Sequence, residues 1–408
     1  MNLKPGLGSQ TIFLLWNIYG LLTAGRFWPV STLKSTSKAR QFSIFEIVSF
    51  PNTECWTDNK VRNGTCYSSG ECEDYGGVIS GVCAGGYGVC CIFDTGCGGI
   101  IEKNYTYFSS SSPGYSSDMN TCSMQLCRPN KQICQVRLDF DSFILNDAET
   151  QSNLKVLEPN LSSHGQCLVD KFQVAVPGGR SSPTICGTNS GYHMYLDIGD
   201  SCNLATFNLG QGTLLTREWT IRVIYFSCDD TSRAPDGCLQ YFKGINGNIE
   251  SFNFNSRLGT QLADQSYSVC MRPERGFCNI CYSGGTPDTS MFRVSNEQGE
   301  ETDCADASDY ISIPGGTCQD SKKLRISSKN SVSRDRYCGQ RLDCVERVGS
   351  NTGDGSKPLF RVVGAKQYTV CTKIRPYILH FHTDSFAAVT PESDANIGFG
   401  IEYWQIAC

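Results

Sequence analysis

Covalent catalysis by a side chain needs a nucleophile and a base that a third group orients, and this chain offers little of either. Its 408 residues include four histidines. The nearest approach to a nucleophile segment is Cys186-Gly-Thr-Asn-Ser190-Gly-Tyr-His193, and no Gly-Asp-Ser-Gly occurs. A turn serine accounts for Ser190 without any chemistry. His380 and His382 lie two apart, hence on one face of a strand, a spacing that two metal-binding imidazoles can use. No acid or cysteine completes a ligand set beside them, and exposed strand histidines are ordinary. We therefore expect no enzyme. The chemistry that is abundant is that of sulfur: 24 cysteines spread from Cys55 to Cys408. An even number at irregular spacing reads as a disulfide framework made in an oxidising compartment. A zinc reading fails for want of paired Cys-x-x-Cys units, since Cys278-x-x-Cys281 stands alone.

The N-terminus agrees with export. Lys4 precedes the apolar stretch Thr11–Leu22, and Thr23-Ala24-Gly25 offers small residues for cleavage, so 1–25 reads as a signal peptide. That stretch is too short to span a bilayer comfortably, and no later segment is apolar enough to anchor the chain. Asn63, Asn104 and Asn160 each open an N-x-[S/T] triplet and become glycan candidates once the chain is exported. A net charge of −5 over so long a chain gives no footprint for nucleic acid. Charged residues at only 18%, with abundant Gly, Ser, Thr and Asn, suit loop-rich β structure.

The elements that must carry these residues fall into blocks. Residues 26–54 hold no cysteine and read as a poorly ordered spacer. Residues 55–91 hold Cys55, Cys66, Cys72, Cys83, Cys90 and Cys91 but almost no aliphatic residues, so covalent staples must replace a core. From Cys97 the texture alternates. Val136, Leu138 and Phe140 alternate with charged neighbours, Phe172, Val174 and Val176 with mostly polar ones, and Trp219, Ile221, Val223 and Tyr225 repeat the pattern. A period of two marks half-buried strands. An internal repeat links 97–228 with 238–408. Asp170-Lys-Phe-Gln-Val is echoed by Asp309-Tyr-Ile-Ser-Ile, Cys186-Gly187 by Cys338-Gly339, Asp200-Ser201 by Asp384-Ser385, and Ile221–Cys228 by Ile401–Cys408. Two homologous all-β modules are expected.

Two family resemblances rest on these residues. The six cysteines ending in Gly88-Val89-Cys90-Cys91 resemble the clip unit of arthropod extracellular proteins, which implies the pairs Cys55–Cys90, Cys66–Cys83 and Cys72–Cys91; the interval from the third to the fourth cysteine is shorter than in typical clips. Cys97-Gly-Gly99, Cys122, Cys167-Leu-Val-Asp-Lys-Phe-Gln-Val174, Cys186-Gly187 and Trp219-Thr-Ile-Arg-Val223 resemble a CUB domain, a two-sheet antiparallel sandwich of the jelly-roll kind. That resemblance implies Cys97–Cys122 and Cys167–Cys186, and makes 238–408 a more divergent CUB-like copy. The whole arrangement resembles secreted arthropod CUB proteins.

The CUB resemblance also implies a calcium site, built from a glutamate ahead of the strand-opening aspartate and an aspartate from a later loop. In the second module this points to Glu301, Asp309 and Asp384, with Ser385 beside them. In the first, Asp170 and Asp200 match, but residue 162 is serine. Turn-forming acids are the plainer account of all of these. The acidic run Glu297–Asp309 and the basic run Lys322–Arg347 either pair in solvent or leave the basic run to hold a sulfated glycan. The sequence thus points to a non-catalytic binding or adaptor protein for an extracellular protein ligand, with calcium as the one cofactor the resemblance implies. Two alternatives stay open: a cofactor of an extracellular protease cascade, and a matrix-associated structural protein.

Overall fold

The computed structural model describes residues 9–16, 44–149, 164–211, 216–285, 291–295, 304, 309–320, 333–339, 342, 368–385 and 396–408. The chain divides into two compact units, Met1–Phe93 and Asp94–Cys408. The first contains β1 (Ser9–Trp16), β2 (Ile44–Pro51), β3 (Glu54–Trp56), β4 (Asn63–Tyr67), α1 (Ser69–Asp74), β5 (Val78–Cys83) and β6 (Gly88–Thr95), the last crossing into the second unit. The second continues with β7 (Ile100–Ile101), β8 (Thr106–Ser109), β9 (Thr121–Leu126), β10 (Ile133–Ile144), β11 (Asp170–Ala175), β12 (His193–Asp197), β13 (Asn203–Leu209) and β14 (Glu218–Ser227). There follow β15 (Cys238–Phe242), β16 (Asn246–Glu250), β17 (Ser266–Met271), β18 (Phe277–Ser283), β19 (Phe292–Arg293), β20 (Tyr310–Asp320), β21 (Ser333–Tyr337), β22 (Tyr368–Thr372), β23 (Tyr377–His382) and β24 (Gly398–Ala407).

In the small unit the cysteines do the work of a core. Ser68 and Glu71 close a capping box at the start of α1: the Glu71 N–H donates to Ser68 Oγ at 3.3 Å and the Ser68 N–H donates to Glu71 Oε2 at 3.3 Å. The helix delivers Cys72 to Cys91, and bridges Cys55–Cys90 and Cys66–Cys83 tie the strands on either side. A side chain at Gly77 would lie 2.2 Å from Cys91 Sγ, so this turn admits only glycine. Of the expected 26–54 spacer, residues 26–43 lie outside the described residues. Ile44–Pro51 is strand β2, paired with β1 inside the expected leader, and Phe50 is buried with Cys55, Cys66 and Cys90. A short Cys-rich unit lacks aliphatics of its own and takes them from the preceding residues.

The larger unit holds two β-sandwiches of one plan. In the first, β7-β9-β13-β11 forms one layer and β8-β14-β10-β12 the other. In the second, β15-β17-β23-β20 and β16-β24-β18-β22 repeat that order. Even the exception to antiparallel pairing recurs, for β7 runs parallel to β9 and β15 parallel to β17. Alternation explains the layers. β14 has the burial pattern eBiBiBiBii and β11 BeBeBe, so each strand gives every second side chain to the space between sheets. There Phe207 stacks on Trp219 with ring centroids 4.3 Å apart, and Phe172 meets Phe140 at 6.0 Å. The second sandwich closes the same way through Phe381 and Phe399 at 5.1 Å. The layers differ in one respect. β20 pairs with β23 over Tyr310–Ser312 and with β22 over Thr317–Asp320, crossing between sheets at Pro314-Gly315-Gly316. Gly315 has φ of 61°, a left-handed bend that a non-glycine residue adopts only with strain.

The bridges follow the repeat. Cys97–Cys122 corresponds to Cys238–Cys270, Cys167–Cys186 to Cys304–Cys338, and Cys134–Cys228 to Cys278–Cys408. Cys127–Cys202 belongs to the first sandwich alone and Cys281–Cys371 to the second.

Candidate functional site

The strand-opening aspartates occupy matching places. Asp170 begins β11 and Asp309 immediately precedes β20. Both are buried, at 0% and 4% exposure, which for a lone carboxylate is costly unless donors surround it. Each is met by the backbone N–H that follows the neighbouring strand. Gly210 N–H donates to Asp170 Oδ1 at 3.0 Å after β13, and Asp384 N–H donates to Asp309 Oδ1 at 2.9 Å after β23.

That correspondence corrects one part of the repeat. Asp200-Ser201 lies ahead of β13, whereas Asp384-Ser385 lies beyond β23, so the two dipeptides are not equivalent. The residue standing where Asp384 stands is Gly210. Asp200 is exposed and paired with Arg128, away from the Asp170 carboxylate's donors. The dipeptides match in letters but flank opposite ends of the equivalent strands β13 and β23.

The two carboxylates then diverge. Asp170 receives five donors. Arg217 Nε reaches Oδ2 and Nη2 reaches Oδ1, each at 2.9 Å; Asn146 donates to Oδ2 through its N–H at 3.0 Å and its Nδ2 at 2.7 Å; Gly210 completes the set. Arg217 also donates to the Gly210 carbonyl, and its side chain is 5% exposed. This is a bidentate, desolvated guanidinium–carboxylate pair. Burial on its own would raise the Asp170 pKa, but the hydrogen bonds from Arg217, Asn146 and Gly210 reverse that and hold it below the usual carboxylate range. With a guanidinium across both oxygens, Asp170 does not fit as a calcium ligand. Sequence reasoning missed Arg217, yet a signal was there. Arg217 lies eleven residues before Cys228, and the residue eleven before Cys408 is Ile397.

In the second sandwich Gln261 Nε2 donates to Asp309 Oδ2 at 2.7 Å. The Asp384 carbonyl accepts from Asp264 N–H at 2.7 Å, and the Ser385 carbonyl accepts from Gln166 Nε2 at 2.7 Å. The structure therefore brings Asp309, Asp384 and Ser385 together through one loop. Glu301 lies outside the described residues, as do Ser162, most of the acidic run and most of the basic run. Carboxylate, carbonyl and hydroxyl are hard oxygen donors of the kind calcium takes, and both Asp309 oxygens accept hydrogen bonds, Oδ1 from Asp384 N–H and Oδ2 from Gln261. Among the described residues no three His, Cys, Asp or Glu side chains form a metal-sized cluster.

The remaining candidates are placed as follows. His380 lies near Ser266 Oγ at 3.4 Å and Ser268 Oγ at 3.3 Å, while His382 faces the Tyr310 ring at 5.2 Å. Burial, then His382 and Arg180, lower the His380 pKa. Ser190 Oγ accepts from Phe143 N–H at 2.9 Å, a structural role. Asn63 is 4% exposed and its amide donates to Glu54. Asn104 is half-buried and its Oδ1 accepts from Tyr225 N–H at 2.9 Å. Asn160 lies outside the described residues.

The two sandwiches are joined by a polar seam that no motif announced. Asn253 is its hub: its N–H donates to Asn189 Oδ1 at 2.8 Å, its Oδ1 accepts from Thr188 N–H at 3.0 Å, and its Nδ2 donates to Asp147 Oδ1 at 2.6 Å. Tyr241 N–H donates to the buried His193 Nε2 at 3.1 Å, and Tyr192 Oη donates to Glu250 at 2.6 Å. Burial, then Arg137, push His193 down to about 4, so it is a neutral acceptor.

Comparison with known proteins places this geometry. Residues 235–406 match the animal CUB domain family, a module of protein interaction in extracellular proteins. The match falls on the sandwich that resembles the family less by motif. No curated protein matches the chain. Among solved structures, the CUB1-EGF-CUB2 domain of human MASP-1/3 is 15% identical, covering 74% of this chain and 98% of that one at a TM-score of 0.21. The CUB1-EGF-CUB2 domains of rat MASP-1 are 14% identical, covering 75% and 99% at 0.22. The full extracellular region of zebrafish Gpr126/Adgrg6 is 13% identical, covering 77% and 37% at 0.24. At these scores the sandwich assignment stands on strand pairing and on the family match. Among the described residues no helix is long and apolar enough to cross a membrane.

Proposed function

We propose that this is a secreted, non-catalytic protein that binds an extracellular protein ligand through the loop cluster of the second sandwich, with calcium organising Asp309, Asp384, Ser385 and Glu301. The observation that carries the reading is a buried carboxylate, Asp309, that accepts from the backbone N–H of a loop acid, Asp384, inside the segment that matches the CUB family. A calcium ion there would supply fixed positive charge to order the acidic loop, and the ordered acids present a docking point for a lysine or arginine of the ligand. The oxygen chemistry of Asp309, Asp384 and Ser385 supports it. The test is affinity capture from extracellular fluid with the full chain, run in calcium and in chelator. A partner retained only with calcium, and lost with Asp309→Ala, is the expected result. Equal retention in both removes calcium from the mechanism.

A second reading rests on the small unit. Trp56, Val61, Val78, Val82 and Tyr87 are exposed there, and the three bridges have the clip-like pairing. The clip-like pairing, with these apolar side chains open to contact, supports a non-catalytic role in a protease cascade. Adding the protein to a zymogen mixture and following cleavage rates separates it from the first reading.

A further inference from the structure

Strands β17, β23, β20 and β21 of the second sandwich gather cations and hydroxyls on their outer face. Register sets these in two rows. Ser268, His380, Ser312 and Arg336 lie opposite one another in the first, and Ser266, His382 and Tyr310 in the second. Alternation turns them away from the core, for Tyr267, Phe381 and Ile311, which lie between the rows, are buried. Arg336 forms one border, exposed, with its guanidinium 4.4 Å from the Tyr310 ring centroid. Arg180, exposed between β11 and β12, forms the other and lines a small cleft with Ser181, Asp197 and Ser266. Burial, His382 and Arg180 all lower the His380 pKa, and no carboxylate offsets them. The acid in the cleft, Asp197, accepts from Gln135 Nε2 at 3.5 Å. Neither arginine has an ion pair among the described residues.

Three strand spacings separate β17 from β21, about 14 Å. One small anion cannot reach both arginines, whereas a chain bearing anions at intervals can. The floor between them is short hydroxyls and imidazoles, which donate to anionic oxygens but form no apolar pocket for a protein side chain. A net charge of −5 draws no polyanion by bulk attraction, so such a ligand needs a local site. The disulfide framework belongs to an oxidising compartment, where sulfate esters on glycans are the repeated anion at hand. We propose that this face binds a sulfated glycan laid across the strands, with Arg336 and Arg180 each forking onto one sulfate. Of these residues only Arg336 belongs to the basic run read in the sequence; strand pairing brings it to the imidazoles. Calcium has no part in this binding.

The test is equilibrium binding of the full chain to a size-defined heparin oligosaccharide at physiological salt. It is read in chelator, so its outcome is separate from that of the calcium test. Heparin should bind, while unsulfated heparosan, poly-glutamate and inorganic sulfate should not compete. Arg336→Ala and Arg180→Ala should each weaken binding about tenfold, the loss of charge-assisted hydrogen bonds. Both arginines are exposed, so these variants should fold. Ser312→Asp sets an acid in the middle of the floor and should abolish binding. Added salt should weaken binding, and less steeply in Arg336→Ala/Arg180→Ala than in the native chain. Equal binding of heparosan or poly-glutamate overturns the assignment to sulfate. Absence of heparin binding, or native affinity in the double variant, overturns the site itself.

Discussion

The two sandwiches share strand order, three equivalent bridges and a buried strand-opening aspartate, yet different residues donate to that aspartate. In the first, Arg217 forks across both oxygens of Asp170. In the second, a Gln261 amide and the Asp384 N–H reach Asp309, and an isoleucine stands at the position of the arginine. A duplicated fold kept the buried strand-opening aspartate and placed different donors around it. Shared topology is therefore a poor guide to shared binding: function sits in the loop residues that fill a conserved frame.

The contrast can be broken by substitution. The largest effect is expected from Asp170→Ala, which strands a buried guanidinium and should cost about 3–5 kcal/mol by denaturant titration. A cost near zero would mean that the Arg217–Asp170 pair is not a buried, mutually dependent contact. Next, Asn253→Ala removes the hub between the sandwiches, leaving buried partners unpaired for about 1–3 kcal/mol. Calorimetry of the larger unit should then show its single transition broaden or split, and an unchanged sharp transition would show that the seam is not what couples the halves.

A smaller effect is read from pH. The Asp170 pKa is depressed by its donors, so the stability it contributes is present above the unfolded carboxylate value of about 3.9. It falls away as pH drops through the depressed folded value. The native chain should lose stability over that acid window, while Asp170→Asn/Arg217→Met should show a flatter acid limb. Identical acid limbs would sever the pair from the pH dependence. The smallest effect concerns the glycan candidates. Asn63 is buried with its amide given to Glu54, so glycopeptide mapping of the secreted protein should find it bare, and Asn63→Gln should leave the apparent mass unchanged. A glycan at Asn63 would mean that β3 and β4 open during export.

Much of the fold was legible because it follows from local rules. Val136-x-Leu138-x-Phe140 and Trp219-x-Ile221-x-Val223 alternate, and period two leaves a strand no other way to bury its apolar face. The repeat itself was legible, but its register was not. Asp200-Ser201 looks like Asp384-Ser385 letter for letter, and only the strand pairing shows them at opposite ends of equivalent strands, β13 and β23. The role of β2 was hidden for a similar reason, since Phe50 packs on cysteines whose positions the bridges fix.

By itself the sequence determined the all-β class, the presence of a disulfide framework and the two-fold internal repeat, for these depend on composition, parity and periodicity. Tertiary structure decided the rest. That Arg217 meets Asp170 across 47 residues, and that Asn253 joins residues from both sandwiches, depends on which loop ends the sheets bring side by side. A buried charge is satisfied by whatever donor the fold places within 3 Å. No pattern along the chain encodes that neighbour until the strands have paired.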